Sequence, residues 1–251
     1  MRYFVIITAG GSGDRMLSEL PKQFHNLDRA VIDIQEGVMR VESKPILLRT
    51  IEHFLNLKMR VEIILVLPKK WIPTWQEFYM KNNLEIPHTI VEGGISRFHS
   101  VKGALEKIPE GSVVAVHDAV RPFASTALIE KLLFREFNGE YAGAIPFVSA
   151  YDSLREVERD SEGKIIASRS IKRDKVVMIQ TPQVFSSTIL KKAYNLPFSV
   201  DFTDDASVVE AAGYKVELVE GEKLNLKITT PDDKKAAHII LNGLSLENIR
   251  K

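Results

Sequence analysis

The sequence contains no cysteine, which excludes disulfides and thiolate chemistry without fixing a compartment. It has no apolar run approaching the length of a membrane span and no signal-peptide layout ahead of its first apolar segment. A cytoplasmic protein without a membrane partner is therefore expected. Charge of neither sign is in excess, since 34 Lys and Arg face 33 Asp and Glu for a formal +1. That balance argues against a nucleic-acid partner, which would call for a basic stripe. The six histidines are scattered without metal-ligand spacing and read as ordinary surface or core residues. Two nucleotide motifs are missing as well. No P-loop string occurs, and in Gly11-Ser12-Gly13-Asp14-Arg15-Met16 the third glycine of a dinucleotide fingerprint is replaced by Met16.

What is present begins at the amino terminus. An apolar run from Tyr3 to Ile7 leads into TAGGSGDRM and then PKQ at Pro21 to Gln23. A strand followed by a glycine-rich turn, with Gly10, Gly11 and Gly13 turning amides inward, builds a backbone cradle for phosphates. Arg15 and Lys22 beside it are suited to a charged transition state. A small phosphorylated substrate and a nucleotide fit this better than a polymer. An ordinary strand–helix connection is the bland alternative, and the two cations weigh against it.

With 251 residues, 45% of them hydrophobic, the chain is long enough for one large domain, placed at 1–243 with a tail at 244–251. Strands are expected at 3–8, 61–67, 113–117, 141–148, 215–219 and 224–229. Helices are expected at 45–55, 97–107, 125–137, 204–212 and 231–241. Such alternation predicts an α/β protein: a Rossmann-like, mostly parallel twisted sheet with helices on both faces and the ligand at the carboxyl ends of the strands. Two segments break the pattern. Residues 151–175 are polar and weakly β-like, and read either as a projecting arm that pairs with another copy or as a solvated excursion. Residues 25–43 contain VIDI and VMRVE, which alternate as a small hairpin would.

Four further motifs carry chemistry. VHDAVRPF at 116–123 follows a strand, so Asp118 and Arg121 leave its end together. Asp118 is placed for a hydroxyl or a metal-bound phosphate and Arg121 for a phosphate held by a planar fork; a local pairing of the two is the structural alternative. GGISRFHSV at 93–101 is a second glycine turn where backbone groups and Ser100 could read a base. QTPQVF near Gln180 has Arg173 upstream. NLKITTP at 225–231 puts Lys227 inside an apolar strand, a costly place for an ammonium unless it meets an anion.

These motifs, in this order and over nearly the whole chain, resemble the 2-C-methyl-D-erythritol 4-phosphate cytidylyltransferases of the non-mevalonate isoprenoid pathway. FTDDASVVEAAG near 202–213 and VEG at 219–221 extend the match. The resemblance implies Mg²⁺-dependent cytidylyl transfer from CTP, with another divalent cation able to substitute and the protein ligands of the metal unknown. It implies that Arg15 and Lys22 stabilise charge on the triphosphate, while Arg173 and Lys227 position the attacking phosphate. Asp118, Arg121, Ser153 and Thr181 would complete the alcohol-phosphate site. Ala9, Gly10, Gly11, Gly13, Lys22, Gly94, Ser100 and Ala119 would hold CTP. The resemblance further implies a homodimer in which the 151–175 arm crosses to the partner. Ile95 stands where the family usually carries an acidic residue near the ribose, Ser153 where threonine is usual, and 25–43 where the family has a short turn. Two rivals stay open: a cytidylyltransferase for another alcohol phosphate such as ribitol 5-phosphate, and a catalytically silent nucleotide-binding protein.

Overall fold

The computed structural model describes residues 1–11, 20–33, 38–135, 137 and 140–249, with backbone alone for 32, 33, 38, 39 and 244–249. In chain order the elements are β1 (Tyr3–Thr8), β2 (Asn26–Asp33), β3 (Val38–Pro45), α1 (Ile46–Leu55), β4 (Val61–Leu67), α2 (Ile72–Lys81), β5 (His88–Glu92), α3 (Arg97–Leu105), β6 (Val113–Asp118) and α4 (Thr126–Leu133). They continue with β7 (Tyr141–Ser149), β8 (Leu154–Arg159), β9 (Ile165–Ile171), β10 (Val177–Ile179), β11 (Gln183–Ser186), α5 (Ser187–Ala193), α6 (Asp205–Ala211), β12 (Lys215–Glu220) and α7 (Pro231–Ile249).

β1 is apolar at consecutive positions because both of its faces are covered. Val5 and Ile7 join Leu47 and Ile51 of α1 and Ile129 and Leu132 of α4 in one cluster. Phe4 and Ile6 join Val101 of α3, Leu190 of α5 and Val209 of α6 in the other. Each fully buried side chain of this kind contributes about 1.5–3 kcal/mol, so the sheet is held from both sides. Its strands lie in the order β10-β7-β11-β6-β1-β4-β5, with β12 also paired to β7. The pairs β1–β4, β1–β6, β4–β5 and β7–β12 are parallel, whereas β10 and β11 run antiparallel to their neighbours. β1 therefore sits between β4 and β6, and the chain reverses its winding there.

Helix starts are written in side chains. Ser96 Oγ accepts from the His99 amide at 3.3 Å and Ser125 Oγ from the Leu128 amide at 3.0 Å, while Asp204 and Ser207 form a reciprocal capping box on α6.

The segment at 25–43 forms a long antiparallel hairpin, β2 with β3, in register from Asn26–Pro45 to Asp33–Val38. Leu27 anchors it in a small core with Ile46, Phe123, Ile228 and Ala237. From α1, Arg49 donates Nε and Nη2 to the Leu27 carbonyl at 3.1 and 2.8 Å. From α7, Asn242 Oδ1 accepts the Ala30 amide at 2.9 Å. β8 and β9 make a separate two-stranded sheet that is exposed along almost its whole length.

Three expectations are corrected. Residues 224–229 are not a strand: the Ile228 amide goes to the Val120 carbonyl at 2.9 Å and the Leu226 amide to the Leu224 carbonyl at 2.7 Å, so no ladder forms. α4 stops at Leu133, short of 137. α7 runs on through the expected tail to Ile249.

Candidate active site

A cleft of about 270 Å³ opens at the carboxyl ends of β1, β5 and β6. Thr8 and Asp118, the last residues of β1 and β6, are register partners at its floor. Ala9, Gly10, Gly11, Lys22, Gly94, Ser100, Asp118, Ala119 and Lys227 all line it. Arg15 and Gly13 lie outside the described residues.

The glycine turns are shaped by close approach. A Cβ added at Gly94 would lie 2.5 Å from His99 Cβ, so a side chain there would force the base of α3 away. Ser100 braces the same turn: its hydroxyl accepts from the Gly94 amide at 3.1 Å and donates to the Ser96 carbonyl at 2.9 Å. Lys22 is set by its neighbour. Gln23 is buried and donates Nε2 to the Ala9 carbonyl at 2.6 Å, which ties the 3₁₀ turn Lys22–Phe24 to the end of β1. A Cβ on Gly11 would meet Lys22 Cε at 3.4 Å, so the lysine runs alongside the glycine loop.

Asp118 is the hub of the floor. Its Oδ2 accepts from Lys227 Nζ at 3.0 Å and from Arg121 Nε at 3.2 Å. Burial by itself would raise its carboxyl, but the charges of Lys227, Arg97 and Arg121 outweigh that and hold it well below the usual carboxylate range. Arg121 spends its other edge on the Asn225 carbonyl, at 2.8 Å from Nη1. Its fork thus clamps the 225–227 loop to the β6 end, so the local pairing with Asp118 is present, and Arg121 is not among the residues lining the cleft. Lys227 is not inside a strand either. It stands on an irregular loop with its side chain 44% exposed, so no burial penalty compels it to face an anion; it reaches the cleft through Asp118.

Thr181 is likewise a brace. The Asp118 amide donates to Thr181 Oγ1 at 3.0 Å, and that hydroxyl lies 3.0 Å from His117 Nδ1. His117 Nε2 lies 3.1 Å from the Arg121 carbonyl, which can only accept. The proton is therefore on Nε2, Nδ1 accepts from Thr181, and the imidazole is neutral. Burial pushes its pKa down to about 4 against the pull of Asp118. This relay fixes both residues of the His117–Asp118 pair to the turn before β11.

Ser153 and Arg173 are exposed at the root of the arm and are not among the residues lining their own chain's cleft. Arg173 Nη1 donates to the Tyr151 carbonyl at 2.8 Å. One cleft cation escaped the sequence reading. Arg97 lines the wall and bonds Asp205 Oδ2 at 2.5 Å; Asp205 is itself buried and held by the Tyr194 hydroxyl at 2.6 Å. Burial disfavours the guanidinium, but Asp205 more than compensates and its pKa is raised. The sole clue was SR two residues beyond the glycine pair. Among the described residues no group of three His, Cys, Asp or Glu is placed to hold a metal ion.

Lys22, Arg97 and Lys227 lining one cleft with Asp118 on its floor, beside glycine turns at the switch point of a mostly parallel sheet, define a nucleotide-handling α/β protein. The family model for 2-C-methyl-D-erythritol 4-phosphate cytidylyltransferase matches residues 3–243. The chain belongs to this family of nucleotidyltransferases. The enzyme of that name from Bacteroides fragilis is 39% identical over 236 residues, 94% of this chain and 98% of the relative. That from Bacteroides thetaiotaomicron is 38% identical over 241 residues, 96% of this chain and all of the relative. Among solved structures, the Francisella tularensis cytidylyltransferase superposes with a TM-score of 0.71 at 28% identity, covering 95% of this chain and 99% of its own. The Thermus thermophilus enzyme gives 0.68 at 27%, covering 96% and 99%.

Proposed function

We propose that this protein transfers the cytidylyl group of CTP to 2-C-methyl-D-erythritol 4-phosphate, releasing pyrophosphate, in the synthesis of isoprenoid precursors. The observation that carries this reading is the gathering of Lys22, Arg97 and Lys227 on a glycine-walled cleft in a chain of this family. A phosphate oxygen of the alcohol phosphate forms a bond to the α-phosphorus of CTP as the bond to the β-phosphate oxygen breaks. A phosphate monoester is already anionic, so no general base is required, and the barrier is mainly repulsion between two anions. The turn at Gly94 and Ser100 takes the cytidine. Gly10, Gly11 and Gly13, with Ala9 and Ala119 alongside, take the triphosphate. Lys22 and Arg15 offset charge growing on the α-phosphate oxygens, and Lys227 aligns the incoming phosphate. Arg121 and Thr181 serve by fixing Asp118 and its loop.

The one carboxylate among the described cleft residues is already spanned by Lys227 and Arg121, so these side chains do not form a cage for a metal. Mg²⁺ would arrive held by the triphosphate oxygens and its own water.

Ser153 and Arg173 complete the alcohol-phosphate site from a second copy. Their exposure on an arm outside their own chain's cleft supports a homodimer whose arms exchange between subunits. Pyrophosphate release measured with CTP and Mg²⁺ tests the reaction. 2-C-methyl-D-erythritol 4-phosphate should turn over far faster than ribitol 5-phosphate. The reverse preference would reassign the substrate, and release with neither would remove the activity.

A further inference from the structure

The cleft is not the largest cavity described. A pocket of about 630 Å³ lies on the other side of the loop that follows β6, walled by α1, the β2–β3 hairpin, the 222–224 segment and α7. This is the size range of small-molecule sites. Phe123 and Leu241 make an apolar wall, while Arg29 and Lys223 bring positive charge. The carboxylates on its lining are already engaged. Glu52 Oε1 takes Lys44 Nζ at 2.6 Å, and Glu222 accepts the Ser125 amide at 3.0 Å and also its hydroxyl. Of the cations, Arg49 is engaged by the Leu27 and Glu42 carbonyls and the Glu42 carboxylate. Lys223 Nζ lies 4.4 Å from the Tyr151 ring centroid, a contact that leaves its hydrogen-bond donors to take a phosphate. Arg29 Nη2 reaches Glu42 Oε2 at 3.1 Å, but Arg29 Nε is buried and meets no acceptor among the described residues. A buried donor without an acceptor is costly to leave unmade, and because the Arg29 side chain as a whole is 36% exposed, a small turn of its guanidinium would bring Nε to an oxygen of a bound ligand.

We propose that this pocket binds a small organic phosphate with a short hydrocarbon body, its phosphate on Arg29 and Lys223 and its body against Phe123 and Leu241. A guanidinium beside an ammonium suits a phosphate that accepts several hydrogen bonds, and the apolar wall gives the remainder of the ligand a dry surface. The pocket is joined to the catalytic cleft through covalent structure. Val120 lines the cleft and Phe123 the pocket on one loop, and Lys223 and Lys227 stand on another. An occupant would therefore press on the segment that carries Lys227.

Titration calorimetry of the whole protein with n-hexyl phosphate, at saturating CTP and Mg²⁺, tests this. One site per chain is expected. Arg29→Ala should weaken it at least tenfold, Lys223→Glu should do the same, and Lys227→Ala should leave it unchanged. CTP binding by the Arg29 and Lys223 variants reports that they are folded. Inorganic phosphate and n-hexanol should each bind at least tenfold more weakly than the combined molecule. Three results overturn the proposal. One is the absence of binding, and another is hexanol equalling hexyl phosphate. The third is binding lost in Lys227→Ala but kept in Arg29→Ala, which would place the probe in the catalytic cleft.

Discussion

Replacing Asp118 by asparagine keeps the shape of the cleft floor and removes its charge. Two charge-assisted hydrogen bonds converge on Oδ2, from Lys227 Nζ at 3.0 Å and Arg121 Nε at 3.2 Å. A hydrogen bond to a charged group is worth about 1.5–3 kcal/mol. The asparagine oxygen still accepts, and Lys227, at 44% exposure, can turn to water. Arg121 is only 10% exposed but keeps the Asn225 carbonyl. The expected loss of stability is thus about 2 kcal/mol, or about 4–8 °C in Tm for a chain of this size. The kinetic loss should be larger, because a Lys227 without its resting partner is no longer held beside the cleft where the attacking phosphate arrives, and a misplacement of about 1 Å can cost about a hundredfold. Steady-state pyrophosphate release at saturating CTP, with the alcohol phosphate varied, should show kcat/KM lower by about 30- to 100-fold. CTP affinity should change by less than about threefold. If Asp118 acts through Lys227, then Asp118→Asn combined with Lys227→Ala should be no worse than Lys227→Ala alone. Additive losses would refute the reasoning, as would a loss confined to CTP affinity.

Lys22→Ala should lower kcat by about a hundredfold or more while weakening CTP binding much less, since its charge meets its best partner as the phosphorus becomes pentacoordinate; calorimetry beside turnover separates the two. Mixing Arg173→Ala chains with Lys22→Ala chains should restore part of the activity, because under the proposed exchange of arms one site of each mixed dimer would be intact. A mixture as inactive as its parents, with mixed dimers shown to form, would confine the arm to its own chain. Stability should fall as pH drops from about 6.5 toward 4 and be insensitive to His117 above that window. The folded chain holds this imidazole neutral with its pKa near about 4, whereas the unfolded chain takes up the proton near about 6.5. His53, also lowered by burial, acts in the same direction. Urea melts should show about 2 kcal/mol lost between pH 6.5 and 5, with a shallower slope in His117→Gln; an unchanged slope in that variant would show that His117 does not carry the effect.

The elements that could be read from sequence are those whose pattern is set by their own burial. β1 and β4 fall at the expected boundaries because they are apolar on both faces and a glycine or proline follows within two residues of their ends. β11 and β10 escape because they are four and three residues long and depend on neighbours already in the sheet. LNLKIT reads as a strand by alternation, yet its amides are spent on the Leu224 and Val120 carbonyls, a choice made by the loop after β6 more than a hundred residues earlier. The same distance hides the braces. His117 and Thr181 are 64 residues apart and Arg97 and Asp205 108 apart, and nothing local to either sequence announces the partner. The cleft-lining Gly10, Gly11 and Lys22 are legible because the strand, turn and cation are close together in sequence.

The irregular path of 221–230 has a consequence for how the reaction begins. A lysine in a regular strand would be held by the ladder and, if buried, would need a permanent counter-ion. Here the backbone is fixed at separate points, by Gln180 at the Glu222 amide, by Arg121 at the Asn225 carbonyl and by Val120 at the Ile228 amide. Asp233 then closes the start of α7 on the Thr229 and Thr230 amides at 2.9 and 2.8 Å. Between those fixed points the Lys227 side chain is tied by one carboxylate oxygen that it shares with Arg121. An arriving phosphate, carrying more charge than a carboxylate, can draw the ammonium across, and Asp118 keeps Arg121 as its remaining partner. On the proposed reaction, Asp118 would serve as a resting place for the Lys227 ammonium, a reason for a carboxylate on the floor of a cleft that takes anions: without it Lys227 would wander in solvent between turnovers, and with a tighter grip it would not let go.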